Sequence, residues 1–210
     1  MNTFKHEELY RKKTLFDMMS KFPITMCGAG AIGSNLVDNL IRQGFKKISV
    51  IDFDRVEDGN RHTQIWSSRE IGQLKVAALR NRMFEVLNTQ IIAISKKLDK
   101  SNLSLIEPSN LVIDGFDNVP SRKLITDYCK EKYIDCLHIG LFQDYAEIIW
   151  NEKYRVPDEV TNMDICEYPL ARNIILLAVA IATEILITYV ELGEKRNFVI
   201  TLKDFKISRI

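Results

Sequence analysis

The chain has 210 residues, of which 46% are hydrophobic and 27% charged, with a formal net charge of +1. That balance excludes bulk electrostatic attraction to nucleic acid or an anionic membrane as an organising property, and the length suits one domain with a substantial core. The four cysteines (Cys27, Cys129, Cys136 and Cys166) form no Cys-x-x-Cys pair, which argues against a disulfide framework and a four-thiolate zinc site and makes a reducing cytoplasm the expected location.

Residues 1–13 hold no apolar core of signal-peptide length. Residues 4–21 read as one charged N-terminal helix, with Leu9, Leu15, Phe16 and Met19 roughly on one side. Residues 24–27 form a short apolar run that ends in glycines, hence a buried strand feeding a turn. From Ala31, the residues Ile32, Leu36 and Leu40 recur at helical spacing, and Gly44 supplies a stop. Residues 47–52 are strand-like, 53–68 polar, and 69–87 predict a helix. Strands follow at 90–95 and 111–115, a helix at 119–131 and a strand at 133–140. This alternation predicts an α/β, Rossmann-like fold: a mostly parallel sheet with helices on both faces.

The last quarter predicts a partly antiparallel extension, with strand character at 146–150 and 198–207 around an irregular loop at 151–167. Residues 173–190 are apolar over nearly the length of a membrane span. Glu184 lies inside that run, and Arg172 and Glu191 flank it, so a buried or subunit-interface helix is expected and no membrane partner. No linker divides the chain, and residues 1–210 read as a single domain.

The chemistry concentrates at strand ends. In Gly28-x-Gly30-x-x-Gly33 the glycines allow a tight strand-to-helix turn that brings backbone N–H groups and a helix N-terminus to an anion. Asp52 ends the second strand near the spacing of a ribose-binding acid. Beyond it come Asp54, Asn60, Arg61 and Gln64, then Lys75 near a helix start, and Asp114, Asp117 and Asn118 after another strand. A hydride-transfer site needs no such density of acids. A triphosphate with magnesium does, because carboxylates hold the metal while Lys or Arg offsets the phosphates.

The runs GAGAIGS, VIDFDRVEDGN, EIGQLK and IDGFDN, in that order, resemble the ThiF/MoeB/HesA adenylyltransferases, relatives of ubiquitin-activating enzymes. The resemblance covers residues 24–136 strongly and the rest loosely. It implies ATP and Mg²⁺ as cofactors. It also implies an acyl-AMP made on a carboxylate, usually the C-terminus of a small ubiquitin-like or sulfur-carrier protein or of a peptide. By motif position Gly28, Gly30 and Gly33 would lie under the phosphates, Asp52 and Asp54 would serve the nucleotide, and Asn60, Gln64 and Lys75 would contact phosphates. Asp117 would hold magnesium and Asn118 would lie beside the nucleotide. Lys75 and Asp117 are expected at exposed ends of elements.

One departure stands out: where the family commonly has arginine three positions after the motif asparagine, this chain has Thr63. Three readings follow: Arg61 substitutes as a catalytic cation, a partner's arginine (with Arg11 a loose counterpart) replaces it, or the adenylation activity is weakened. The alternative reading is therefore a non-catalytic partner subunit of an active relative; a nicotinamide-dependent reductase would rest on the glycine turn alone. The apolar 169–190 helix predicts a homodimer or a heterodimer with a similar chain. Cys166, ahead of Pro169 at a helix start, is either a nucleophile that receives the activated acyl group or a half-buried small hydrophobe.

Overall fold

A computed structural model describes residues 3–158 and 169–210. β1 (Pro23–Cys27), β2 (Lys47–Ile51), β3 (Ile92–Ile94), β4 (Leu111–Asp114) and β5 (Cys136–Phe142) run parallel, in the spatial order β3-β2-β1-β4-β5. The sheet then turns antiparallel through β6 (Tyr145–Trp150), β7 (Phe198–Thr201) and β8 (Lys206–Arg209), completing eight strands. The change of direction is local. Phe142 pairs with Tyr145, and Gln143 takes a positive φ of 55° between them, a hairpin connection that only antiparallel neighbours can use.

The helices are α1 (Lys5–Arg11), α2 (Lys13–Lys21), α3 (Ala31–Gln43), α4 (Lys75–Leu87), α5 (Val119–Lys132) and α6 (Arg172–Leu192). Strand residues alternate between two apolar layers, as the two-residue pleat requires. Ile24, Met26, Leu111, Ile113, Leu137 and Ile139 join the layer built with α2, α3, α4 and α6. Cys27, Val112 and Cys136 join the layer under α5, with Ile125 and Cys129. Both faces of the parallel half are thus covered, which is why its strands are apolar almost throughout.

Three sequence expectations need correction. The N-terminal helix is two helices, broken at Lys12, whose φ is 64°. The helix expected from residue 69 begins at Lys75, after a 3₁₀ turn at Ser68–Glu70 and Gly72 in a positive-φ conformation. Residues 198–207 are a hairpin rather than one strand, because an alternating pattern reads the same on both arms and Phe205 turns the chain at φ 52°. Finally, much of the apolar surface of α6 is covered within the chain: Ile174, Ile175, Ala178, Val179, Ala182, Ile185 and Leu186 are buried, while Leu176, Ala180 and Glu184 along the helix and Leu192 at its end are exposed. The helix is long and apolar enough to cross a membrane by length and composition, but here it packs against α3, α2 and the sheet.

Candidate active site

Three parallel strands end in register, since Cys27 pairs with both Ile51 and Asp114. Gly28, Asp52 and Gly115 therefore begin three adjacent loops at the carboxyl edge of the sheet, where open α/β folds bind ligands. Gly28 takes φ +95°, and a Cβ there would meet the Gly115 carbonyl oxygen at 3.1 Å. The demand at Gly33 is stricter: a Cβ would lie 1.9 Å from the Gly28 carbonyl oxygen, so α3 crosses its own entry turn at a distance only glycine allows. Gly30 faces open space, with nothing within 4 Å of an added Cβ. No side chain caps the 13-residue α3, which leaves its first turn disposed towards an anion. Gly33→Ala is expected to destabilise the protein by about 1–3 kcal/mol through overpacking, read as a lower urea midpoint; an unchanged midpoint would show that the turn tolerates a side chain.

Asp52 clamps this turn to the end of β2. Its Oδ2 accepts the Ala29 N–H at 2.6 Å and its Oδ1 accepts the Asp54 N–H at 2.7 Å. Burial raises its carboxyl pKa, and the nearby Lys75 charge and these backbone bonds work against the rise. Lys75 is not on an exposed end, contrary to expectation. It is buried at the first turn of α4 and donates from Nζ to Asp54 Oδ2 at 3.1 Å, while its backbone N–H meets the Asp54 carbonyl at 2.9 Å. Its stem is buried with the rest of the side chain, and the half-exposed Asp54 carboxylate holds its tip.

Asn118 caps α5, accepting the Ser121 N–H at 2.9 Å, and beside it Asp117 is exposed, accepting from Asn118 Nδ2 at 3.4 Å. Asn60 and Gln64 also carry structural bonds: Asn60 Oδ1 accepts the Glu57 N–H at 2.9 Å, and Gln64 Oε1 accepts from Trp66 Nε1 at 2.6 Å. Arg61 pairs with Asp58 at 2.7 Å, on a side chain 42% exposed. Thr63 is buried, and its carbonyl accepts Asn35 Nδ2 at 2.9 Å, tying this segment to α3. Arg11 is engaged within its own chain, by Glu7 at 3.1 Å and by Glu184, because α1 packs on α2, which lies against α6. Cys166 and residues 159–168 lie outside the described residues.

The model of the ThiF family matches residues 10–196. The chain belongs to the ThiF family. It is 29% identical over 115 residues to a sulfur carrier protein adenylyltransferase of Thermus thermophilus, covering 53% of this chain and 42% of that one. Against an Anopheles gambiae protein named adenylyltransferase and sulfurtransferase MOCS3, it is 32% identical over 115 residues, 53% of this chain and 26% of that one. It thus spans less than half the length of these curated relatives. Among solved structures, E. coli MccB with ATP superposes with a TM-score of 0.83 at 16% identity, over 100% of this chain and 71% of that one. PaaA gives 0.76 at 17% identity, over 94% and 66%. At such identity these structures establish the fold.

Within this ThiF fold lies a buried polar cluster that local sequence reading missed. Asp114 Oδ1 accepts the Phe116 N–H at 3.1 Å, shaping the turn that carries Asp117 and Asn118. Its Oδ2 lies 2.9 Å from His138 Nδ1 and 3.7 Å from the Arg122 guanidinium. His138 Nε2 faces Asn151 Oδ1 at 2.9 Å, and the ring stacks on Tyr154 with centroids 3.8 Å apart. Arg122 donates to the Tyr154 hydroxyl at 3.0 Å and to the Ile139 carbonyl at 2.7 Å. Burial disfavours the Arg122 cation, but Asp114 and Tyr154 outweigh it and hold its pKa above the ordinary value. The signals in the sequence were Asp114 at a strand end and a histidine in the middle of an apolar strand, with nothing local to join them.

Proposed function

We propose that this protein is an ATP-dependent adenylyltransferase that activates a carboxylate as acyl-AMP. The carboxylate belongs to the C-terminus of a small ubiquitin-like or sulfur-carrier protein, or of a peptide. The observation that carries the reading is the uncapped α3 N-terminus over a glycine turn, clamped to Asp52, with Lys75 at the start of α4 and Asp117 in the loop after β4. The names of the relatives, a sulfur carrier protein adenylyltransferase and an MccB solved with ATP, agree with it.

The residues fit the nucleotide. Gly30 leaves space at the helix start, and Gly28 and Gly33 permit backbone approach. They also fit magnesium. Among the described residues no three His, Cys, Asp or Glu side chains converge, and Mg²⁺ bound with substrate phosphates needs only one or two protein carboxylates, here Asp117. Magnesium would supply charge neutralisation on the phosphates. The first turn of α3 would orient the α-phosphate, Asp52 the ribose, and Lys75 would offset charge as it builds up on phosphorus. A carboxylate oxygen forms the bond to the α-phosphorus, the bond to the bridging oxygen breaks, and pyrophosphate leaves with its electron pair. The chemistry requires charge offset more than proton transfer, which matches a site with lysine and carboxylates at its centre.

The direct test is exchange of labelled pyrophosphate into ATP with candidate carrier proteins or peptides. Carboxylate-dependent exchange is expected; a folded protein that binds ATP without exchange would support the partner-subunit alternative instead. Asp117→Ala is expected to raise the Mg²⁺ concentration needed for half-maximal exchange, and an unchanged requirement would sink its metal role. In the same reading Cys166 receives the activated acyl group. Burial pushes the Cys27 and Cys136 thiols well up, and Cys129 is buried too, so iodoacetamide is expected to label Cys166 first. Slow labelling of Cys166, with full turnover by Cys166→Ser, would make that cysteine structural and leave the acyl group for an external nucleophile.

A further inference from the structure

We propose that Arg172, the first residue of α6, binds the β- and γ-phosphates of the nucleotide; the inference rests on the nucleotide reading above. Three contacts place it there. Halfway along, Asn39 Nδ2 of α3 donates to Thr183 Oγ1 of α6 at 2.8 Å. Near the helix starts, Asn35 Nδ2 donates to the Thr63 carbonyl at 2.9 Å, and Arg172 Nη1 donates to the His62 carbonyl at 3.1 Å. The two helices therefore run parallel, with both N-termini at the edge that carries the glycine turn. Each grips one of two successive carbonyls in the segment between Asn60 and Gln64.

Charge accounting points to the same side chain. A nucleotide triphosphate stays strongly anionic even with one Mg²⁺, so its tail needs cations beyond a helix N-terminus. Of the cations suggested by sequence, Lys75 is assigned to the reacting phosphorus, while Arg61 is engaged by Asp58 and Arg11 by Glu184. Arg172 is exposed and makes no ion pair among the described residues. Among the described residues its hydrogen bond is to a neutral carbonyl, which leaves further N–H donors of its planar fork for phosphate oxygens. Arg172 would thus supply from α6 the guanidinium that Thr63 does not provide.

The experiment is calorimetric titration of ATP with Mg²⁺, and of AMP, into wild-type protein, Arg172→Ala and Arg172→Lys, with thermal melts of each. Arg172→Ala is expected to weaken ATP binding by roughly ten- to a hundredfold while AMP stays within about twofold, the scale of a lost charge-assisted hydrogen bond. Arg172→Lys should recover part of the loss, because a point charge remains without the fork. Unchanged ATP affinity in Arg172→Ala would overturn the proposal. So would equal losses for ATP and AMP, which would mean that Arg172 merely props the 60–64 segment. Wild-type protein unable to bind ATP would instead sink the adenylyltransferase reading, and this inference with it.

Discussion

Lys75→Ala is expected to cut pyrophosphate exchange by about a hundredfold to a thousandfold, the cost of removing one preorganised charge-stabilising group, while the protein stays folded. Lys75 is held in place before any ligand arrives. Its backbone N–H is fixed to the Asp54 carbonyl and its Nζ to the Asp54 carboxylate. Truncation leaves behind an Asp54 side chain that is 49% exposed, so water solvates the abandoned carboxylate and little stability is lost. A second effect falls on Asp52. Burial raises its carboxyl pKa and the Lys75 charge is the foremost influence holding it down, so removing the lysine raises it further. The remaining exchange should then begin to fall at a higher pH than in wild type as the pH is lowered, because protonation of Asp52 weakens its acceptance of the Ala29 and Asp54 N–H groups. Exchange near the wild-type rate in folded Lys75→Ala would remove this lysine from the reaction.

Asp114→Ala is expected to produce the largest stability loss of any single change discussed, about 3–5 kcal/mol, the range for breaking a buried ion pair by deleting one partner. Asp114 and His138 are wholly buried and Arg122 nearly so. Without the carboxylate, the guanidinium and His138 Nδ1 lose their shared acceptor beside a layer whose buried members are cysteines and aliphatic side chains. For a domain of this size such a loss lowers the melting temperature by about 10 °C. Asp114→Asn keeps the acceptor for the Phe116 N–H and should lose less. The cluster also shapes the turn before Asp117 and Asn118, so ATP affinity should drop in Asp114→Asn even at temperatures where that variant is folded. A melting temperature for Asp114→Ala within about 2 °C of wild type would show that the cluster contributes no net stability.

What the sequence by itself determined is what short-range spacing encodes. Gly28, Gly30 and Gly33 lie within one turn of chain, and the strand-to-helix switch around them is a change of hydrophobic period from two to 3.6. Asp52 and Asp117 follow strand ends that composition alone marks, and parallel strands in register bring those ends to one edge. So the Rossmann-like sheet, the phosphate turn and the loops that carry acids were legible. Gly72 is also a local signal that the helix beginning at Lys75 does not start six residues earlier.

The tertiary structure alone decided the pairings between residues far apart in the chain, which no local period records. Lys75 reads as a solvated helix-start lysine until Asp54 is seen beside it, 21 positions away. His138 reads as an isolated histidine until Asp114, 24 positions away, meets its Nδ1. Arg172 lies 110 positions from His62, and Arg11 lies 173 from Glu184. These contacts form because α6 returns to lie parallel with α3, a placement set by burial of an apolar helix against the sheet. That packing energy depends on how well two surfaces fit, and the same apolar stretch is equally compatible, residue by residue, with a core helix, a subunit interface or a membrane span.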